Sequence, residues 1–569
     1  MKTALRYLRP FARRVCCGAA IKFTAAVLEL VLPLLLAHII DVCVPAGDLE
    51  AIWRTGGLMM VMACGAALCN VTANRMAAWV SMEITRDLRG DLYSRVERLS
   101  CAQMDRFSIS SLVSRLTNDT YHVHQMFDKV QRGGIRAPML VLGGLVLTFF
   151  RAPALGLVQL VVCSLTFFTI WLVTRRGIPY YVKAQTAVDT VVRIIRENTS
   201  GVRVIKALAC QERERARFQE ANGDARLTEE AAGCVMAAAN PITDFLLNSG
   251  LVLVVLAGAM LVNAGRMDVG QIVAFLSYFT LIQNATLGMA KIFVKISKGV
   301  ASLRRIEEIL QAPDDQLVRP SEERSEAELG MDDVSFSYLG VEKNLDSASF
   351  SLQKGEMLGI LGPIGSGKTT LVSLLLRLYD ADEGVVWVGG RDAASLSRED
   401  LRGRFGVVFQ NEALLNDTIY ENISFLRSLS REDVIAAAKT AQAWEFIETL
   451  PEGLDTRVDI RGANLSGGQR QRLLIARALA AKPGILVLDS ADSALDYRTA
   501  AALYGAIHRD CPGVTLVVIS ERIASLREAD RILVLEDGKI TDQGSHSQLL
   551  VRCARYRRMT ELQMGGANG

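Results

Sequence analysis

Gly362-Pro363-Ile364-Gly365-Ser366-Gly367-Lys368-Thr369 is the stretch on which the fold turns. The apolar run Met357 to Leu361 before it reads as a buried strand, and Thr370 to Leu376 after it reads as a helix. It is therefore G-x-x-x-x-G-K-T in the strand–loop–helix setting that gives the pattern its meaning. The glycines let the backbone curl so that its N–H groups face inward on phosphate oxygens. The helix start behind them favours negative charge. Lys368 is placed to reach the β- and γ-phosphates, and the Thr369 hydroxyl to ligate Mg²⁺. The motif predicts a nucleoside triphosphate site.

Outward from this loop the chain changes character. It has 569 residues, half of them hydrophobic (50%), and a net charge of +3. Its mean hydropathy is +0.23. That length suggests several domains and that hydropathy suggests a membrane, while so small a net charge argues against a nucleic-acid binder. The 11 cysteines are scattered, odd in number and without a C-x-x-C pair. They imply neither a disulfide framework nor a metal site. The basic first residues, Lys2 to Arg14, lead into no small-residue cleavage site and do not read as a signal peptide. They read instead as an amphipathic helix on the cytoplasmic surface, or as a basic tail.

The N-terminal half holds six candidate membrane helices: Gly18–Ile40, Thr55–Asn74, Ala137–Phe150, Ala152–Thr174, Phe245–Gly265 and Val269–Ala290. Each is measured against the roughly 20 apolar residues a bilayer requires. The third is short, and its inner end must continue through Arg136 and Arg132. Lys and Arg crowd the N-terminus and the connections Arg75–Arg136 and Arg175–Asp244, whereas Asp41–Trp53 has none. The positive-inside rule then puts both termini and both long loops in the cytoplasm. Loops of that length need structure of their own, and Met82–Leu99 and Val191–Glu214 read as helices. Lys22 and Glu29 in the first span could line a polar cargo path, lie in its cytoplasmic extension, or pair with other helices. His122 and His124 have no ligand partners in view, so they do not read as a metal site.

After helical sequence to about Leu310, residues 313–328 are polar and read as a linker. From Leu329 the chain reads as α/β. Short β-rich runs (Val334–Phe336, Leu358–Leu361, Val385–Val388, Val407–Phe409, Ile485–Leu488, Thr515–Ile519, Ile532–Leu535) alternate with helical stretches. The expected division is residues 1–312, 313–328 and 329–565, with a frayed tail from Gly565. The fold class expected is a six-helix membrane domain with long cytoplasmic helical extensions, fused to an α/β P-loop domain.

Leu465-Ser466-Gly467-Gly468-Gln469, followed by Arg470-Gln471-Arg472 and a helical run, is a second Gly-bearing helix start and so a second anion site. It does not easily fold back onto the nucleotide of Lys368 and invites a partner's instead. With these residues in view the chain resembles a half-transporter of the ATP-binding cassette (ABC) exporters, of the type IV exporter fold. The resemblance covers nearly the whole length. It implies that Gly362, Gly365, Ser366, Gly367, Lys368, Thr369 and Thr370 hold ATP. It gives Tyr338 the part of the aromatic that stacks on adenine, unless it is a surface tyrosine. It gives Gln410 and Asp489 contacts to Mg²⁺, with Gln410 also touching the attacking water. It assigns Ser493 to Asp496 to the loop facing the opposite cassette. Phe107–Asp119 and Gly201–Ala207 resemble the turn-backs that press on cassettes, Ile109–Leu116 being the contact expected from the first; ordinary amphipathic helices are the alternative.

Three places in the chain depart from the family. Ser490 stands where a Glu acts as general base, and a serine does not take a proton from water at neutral pH. Glu521 stands where a histidine serves the γ-phosphate, and an anion there repels. Asp459-Ile460-Arg461-Gly462 replaces the usual Gly-Glu-Arg-Gly. The pattern resembles the subunit with the degenerate site in heterodimeric bacterial multidrug-type exporters. The resemblance implies an integral protein of the bacterial inner membrane with its cassette in the cytoplasm. It implies a second half-transporter with an intact catalytic Glu as partner, and hydrophobic or amphipathic cargo. A homodimeric exporter of slow turnover and a membrane-tethered ATP-binding regulator are the alternatives.

Overall fold

The computed structural model describes residues 2–313, 318–321, 323–338, 340–410 and 412–564. Gly565–Gly569, expected as a frayed tail, lie outside the described residues. Contacts divide the chain into two compact units, one of residues up to 97 with 110–312, the other of 98–109 with 313 onward.

The first unit is helical throughout. Helix α1 (Lys2–Leu8) leads through one 3₁₀ turn into α2 (Ala12–His38) and α3 (Leu49–Glu97); α4 (Cys101–Phe107), next in the chain, belongs to the second unit, and the first resumes with α5 (Ile109–Ser114), α6 (Thr120–Gly133) and α7 (Arg136–Arg151). They are followed by α8 (Pro153–Ser200), α9 (Val202–Ala207), α10 (Gln211–Ala237), α11 (Ala239–Asn263) and α12 (Val269–Leu310). Among the described residues six helical stretches are long and apolar enough to cross a membrane. Pro153 opens α8 after Ala152, which has extended backbone; proline suits a first helical position because its missing N–H would be unpaired there anyway. The unit is tied by polar contacts as well as by packing. Tyr278 donates to the Leu30 carbonyl at 2.6 Å. Lys22 donates to Asn70 at 2.8 Å and Asn74 at 2.9 Å, and Glu29 pairs with Arg136 at 2.8 Å, so both first-span charges pair with other helices.

Two expectations need correction. The sequence expects one helix over Val191–Glu214; the structure breaks it at Gly201 and again before Gln211, leaving α9 as a short crosspiece. The first turn-back is not Ile109–Leu116 but α4. Ser100 caps that helix, its hydroxyl accepting from Gln103 N while the Gln103 side chain accepts from Ser100 N, an S-x-x-Q box that fixes a helix start. Ile109 and the residues after it already belong to the returning span.

The second unit carries two sheets. One has the order β2-β1-β4-β5 and is antiparallel, with β1 (Leu329–Phe336), β2 (Leu345–Leu352), β4 (Glu383–Val388) and β5 (Arg391–Asp392). The other has the order β10-β9-β3-β8-β7-β6. Its strands β3 (Met357–Leu361), β6 (Phe405–Val408), β7 (Ile485–Asp489), β8 (Thr515–Ile519) and β9 (Arg531–Glu536) run parallel, and β10 (Lys539–Gly544) is antiparallel to β9. Strands β3, β7 and β8 are buried at every residue, which is why they read as unbroken apolar runs. Helix α13 (Lys368–Leu375) follows β3 directly after the phosphate loop.

Candidate functional site

The site lies at the carboxyl ends of the parallel strands, where open α/β sheets bind ligands. Reading across the sheet, β3 ends at the phosphate loop, β8 before Glu521, β7 at Asp489-Ser490 and β6 before Gln410. Adjacent strands are about 4.8 Å apart, so residues far apart in sequence stand in one row. Glu521 falls between the phosphate loop and Ser490 in that row.

The phosphate loop fits a polyphosphate. Gly367 has φ +99°, a left-handed conformation that glycine adopts without strain. A Cβ on Gly362 would sit 2.5 Å from the Leu535 carbonyl oxygen, so only glycine lets the loop close here. Lys368 Nζ donates to the carbonyls of Gly362 at 2.8 Å and Pro363 at 2.7 Å. The Ser366 hydroxyl is buried without a protein partner, a group that a phosphate oxygen would satisfy. Burial pushes the Lys368 pKa down, opposed by the charges of Glu521 and Asp489. Glu521 therefore acts electrostatically on the very lysine that would meet the γ-phosphate.

Thr369 donates to Asp489 Oδ2 at 3.2 Å. Burial pushes the Asp489 carboxyl up, against hydrogen bonds from Thr369 and Ser490 and the Lys368 charge. A buried carboxylate and a hydroxyl side by side are the oxygen donors that Mg²⁺ takes. Ser490, next in sequence, has φ +53°, and its hydroxyl reaches Asp489 Oδ1 at 3.4 Å. It offers no group able to hold a proton taken from water. Gln410 is exposed just beyond β6. Tyr338 is 42% exposed; its hydroxyl donates to Thr370 Oγ1 at 3.3 Å, and Phe336 and Tyr379 meet its ring edge-on at 4.9 and 5.0 Å.

The second motif is a helix start, as expected. Ser466 caps the helix Gly467–Ala480, its hydroxyl accepting from Gln469 N and Gln469 Oε1 accepting from Ser466 N. Leu465 precedes the cap and is partly buried. A Cβ on Gly467 would meet nothing within 4 Å, whereas one on Gly468 would approach the Ala494 carbonyl at 3.2 Å. Asp496 caps the helix Tyr497–Asp510, accepting from Thr499 N at 2.8 Å.

Some supporting residues belong to no motif. Asp492 is buried and accepts from Ser520 at 2.6 Å and from Ser525. Arg522 donates to the Leu495 carbonyl at 2.8 Å and lies over Tyr497. Gln563 donates to the Glu521 carbonyl at 2.7 Å and accepts from Ile523 N at 2.9 Å. Glu521 thus sits on a segment pinned on both sides. The signal available was Asp492 three residues after Asp489, with serines at 520 and 525.

The pattern described as ABC transporter transmembrane region matches residues 15–286, and that described as ABC transporter matches residues 345–493. An uncharacterised ABC transporter ATP-binding protein of Bacillus subtilis is 35% identical over 99% of this chain and 99% of its own. A fatty acid ABC transporter ATP-binding/permease protein of Mycobacterium bovis is 31% identical over 90% of this chain and 82% of its own. An ATP-dependent lipid A-core flippase of Vibrio vulnificus is 31% identical over 86% and 84%. A solved bacterial Atm1-family ABC exporter with ATP bound superposes with a TM-score of 0.84 at 24% identity, covering 98% of both chains, and shows the same fold.

Proposed function

Because the chain belongs to the ABC transporters and joins a six-helix membrane domain to one ATP-binding cassette, we propose that it is the ATP-retaining, poorly hydrolysing subunit of a two-chain exporter. The observation that carries this is the row Lys368, Glu521, Ser490 at the ends of β3, β8 and β7. Ser366, Lys368, Thr369 and Asp489 would hold the nucleotide and its cation, while the position after Asp489 carries Ser490 and Glu521 follows the strand next to β3.

The phosphate-loop amides, Lys368 and the Ser366 hydroxyl would hold the triphosphate; Thr369, Asp489 and Gln410 would hold Mg²⁺. Bound there, MgATP supplies the charge through which two cassettes are drawn together. Ser466 and Gly467 would face the nucleotide of a partner cassette that has its own catalytic Glu. Closing and reopening of the cassettes would then switch the membrane domain between inward and outward access. The fatty acid and lipid A-core relatives favour a hydrophobic or amphipathic cargo. Basic N-terminal and loop sequence favours cytoplasmic termini and cassette in a bacterial inner membrane.

The test is affinity purification of the tagged chain from its native membrane. Recovery at one-to-one stoichiometry of a second half-transporter with an intact Asp-Glu pair is the expected result. Recovery of the chain only with itself, turning over ATP slowly, would replace this reading with the homodimeric exporter.

A further inference from the structure

The membrane unit holds a cavity of about 810 Å³ lined by six cationic side chains: Lys22, Lys129, Arg132, Arg136, Lys291 and Lys295. Among the described residues, the carboxylates within ion-pair distance of them are Glu29, on Arg136 at 2.8 Å, and Asp128, on Arg132 at 2.6 Å and Lys129 at 3.6 Å. Lys22 is 3% exposed and held by Asn70 and Asn74, whose oxygens orient it without neutralising it. Lys295 donates to Gln125, also neutral, at 2.7 Å. Of the six, Lys22 falls within the first expected span, where a cation is costly unless it faces water or a counter-charge, and the other five flank the spans. Six against two leaves a strong positive excess, aimed into one space.

The cavity is graded along its length. On α12 its lining runs from Lys295 and Lys291, past Gly288, to Ala285 and Leu281. That is about 20 Å at the helical rise of about 1.5 Å per residue. The opposite wall changes in the same sense, from Lys129 and Arg132 to Ala137 and Leu140. A Cβ on Gly288 would meet nothing within 4 Å, so space is open at the midpoint.

We propose that this cavity binds an anionic amphipath, its oxyacid headgroup among Lys129, Arg132, Lys291 and Lys295 and its alkyl chain toward Leu140 and Leu281. This rests on the export reading and narrows its cargo from hydrophobic molecules in general to those with a carboxylate- or phosphate-type head. The charge at one end selects the headgroup, and the apolar end excludes a small free anion as the preferred ligand.

The test is equilibrium binding of radiolabelled dodecyl phosphate and dodecanol to the full chain in phosphatidylcholine nanodiscs. Dodecyl phosphate is expected to bind about tenfold tighter at low salt, and the preference to shrink as salt screens the charges. The double variant Lys291→Gln/Lys295→Gln should lose most of that preference while still binding dodecanol. Lys291→Arg/Lys295→Arg should retain it. Equal binding of the two probes, or an unchanged preference in the Gln variant, would overturn the assignment. So would displacement of dodecyl phosphate by an equal concentration of inorganic phosphate, which would make this a free-anion site. Transport is read separately, in proteoliposomes of the native complex. Charge-selective binding without ATP-driven movement would sink the export reading and leave the site; movement of neutral amphipaths without charge selectivity would do the reverse.

Discussion

The Thr369 hydroxyl donates to Asp489 Oδ2 across 3.2 Å, joining the helix behind the phosphate loop to the end of β7. Asp489 is buried and its carboxyl is pushed up by that burial. A carboxylate raised above its unfolded value near 3.9 binds more protons folded than unfolded as pH rises through that window. Its charge is then a cost to the nucleotide-free protein at neutral pH, and a bound cation offsets it. Asp489→Asn should therefore leave the melting temperature without nucleotide equal or higher. It should abolish the rise given by Mg²⁺ with ATP, and weaken ATP retention about 10- to 100-fold. Thermal scans of the full chain with and without MgATP decide this. An Asn variant still stabilised by MgATP would remove Asp489 from the site.

Ser490 and Glu521 are expected to fail together. Ser490→Glu adds a third carboxylate to the row that already holds Glu521 and Asp489, and neighbouring carboxylates resist joint ionisation. The position has φ +53°, which a non-glycine residue occupies at some cost. Ser490→Glu alone should change the turnover of this chain's own site by no more than about twofold. Adding Glu521→His should release a gain on the scale of general-base catalysis, about 10²-fold. ATPase rates of the single and double variants are the measurement, and a large gain from Ser490→Glu alone would clear Glu521 of blame.

Much of this was legible because the signals were local. β3, β7 and β8 announce themselves as apolar runs since both their faces are covered. The nucleotide residues follow from one motif in its strand–loop–helix setting. What stayed hidden was hidden for physical reasons. β2 carries Asp346, Ser347, Ser349 and Ser351, poor strand formers, and is held as a strand by pairing with β1. β10 is an edge strand with few apolar residues. The start of α4 is marked locally only by the capping box of Ser100 and Gln103, which lies several residues before the stretch resembling a turn-back. In the clasp on Glu521, Asp492 carries a local signal in its spacing from Asp489, whereas Gln563 is brought to it only by the fold.

Tyr379 donates to Asp105 on α4 at 2.6 Å, and its own hydroxyl pKa is raised by burial and then by that carboxylate. Asp105 lies in the segment 98–109 that packs with the cassette residues. Tyr379→Phe removes one hydrogen bond to a charged group, worth about 1.5–3 kcal/mol. The ATPase rate should stay near wild type, while cargo moved per ATP should fall several-fold. Proteoliposome transport measured against ATP consumption tests it; an unchanged ratio would confine the contact to packing.

His546 is part-buried, with Nδ1 2.7 Å from the Tyr556 hydroxyl. Burial first and then the Arg527 charge push its pKa below the ordinary value. The unfolded chain therefore takes up a proton first as pH falls, so stability is full above the ordinary imidazole value of about 6.5. It is lost as pH drops from there toward the depressed folded value. His546→Gln should flatten this slope. Melting temperatures between about pH 7.5 and pH 5, bracketing that value, give the answer, and an equal slope in both proteins would rule His546 out.

The last expectation is an asymmetry between this chain's two nucleotide-facing motifs. Its phosphate loop serves a site lacking a base, so Lys368→Ala should weaken nucleotide retention and leave a measurable ATPase rate in the two-chain complex. Its signature serves the partner's site, where loss of one transition-state donor costs about 10²–10³ in rate. Ser466→Ala removes that donor, but it also removes a helix cap, which alone costs about 1 kcal/mol. Gly467→Asp separates the two effects. Gly467 has open space at its Cβ position and begins the helix after Ser466, where a carboxylate favours the helix dipole. The fold should therefore accept Gly467→Asp, while the new charge repels the partner's γ-phosphate and most ATPase activity disappears. Rates of purified complexes carrying each substitution, beside their melting temperatures, decide it. If Lys368→Ala is as damaging as Gly467→Asp, both sites turn over or act in strict concert; if a stably folded Gly467→Asp complex hydrolyses ATP normally, this chain does not complete a partner's site.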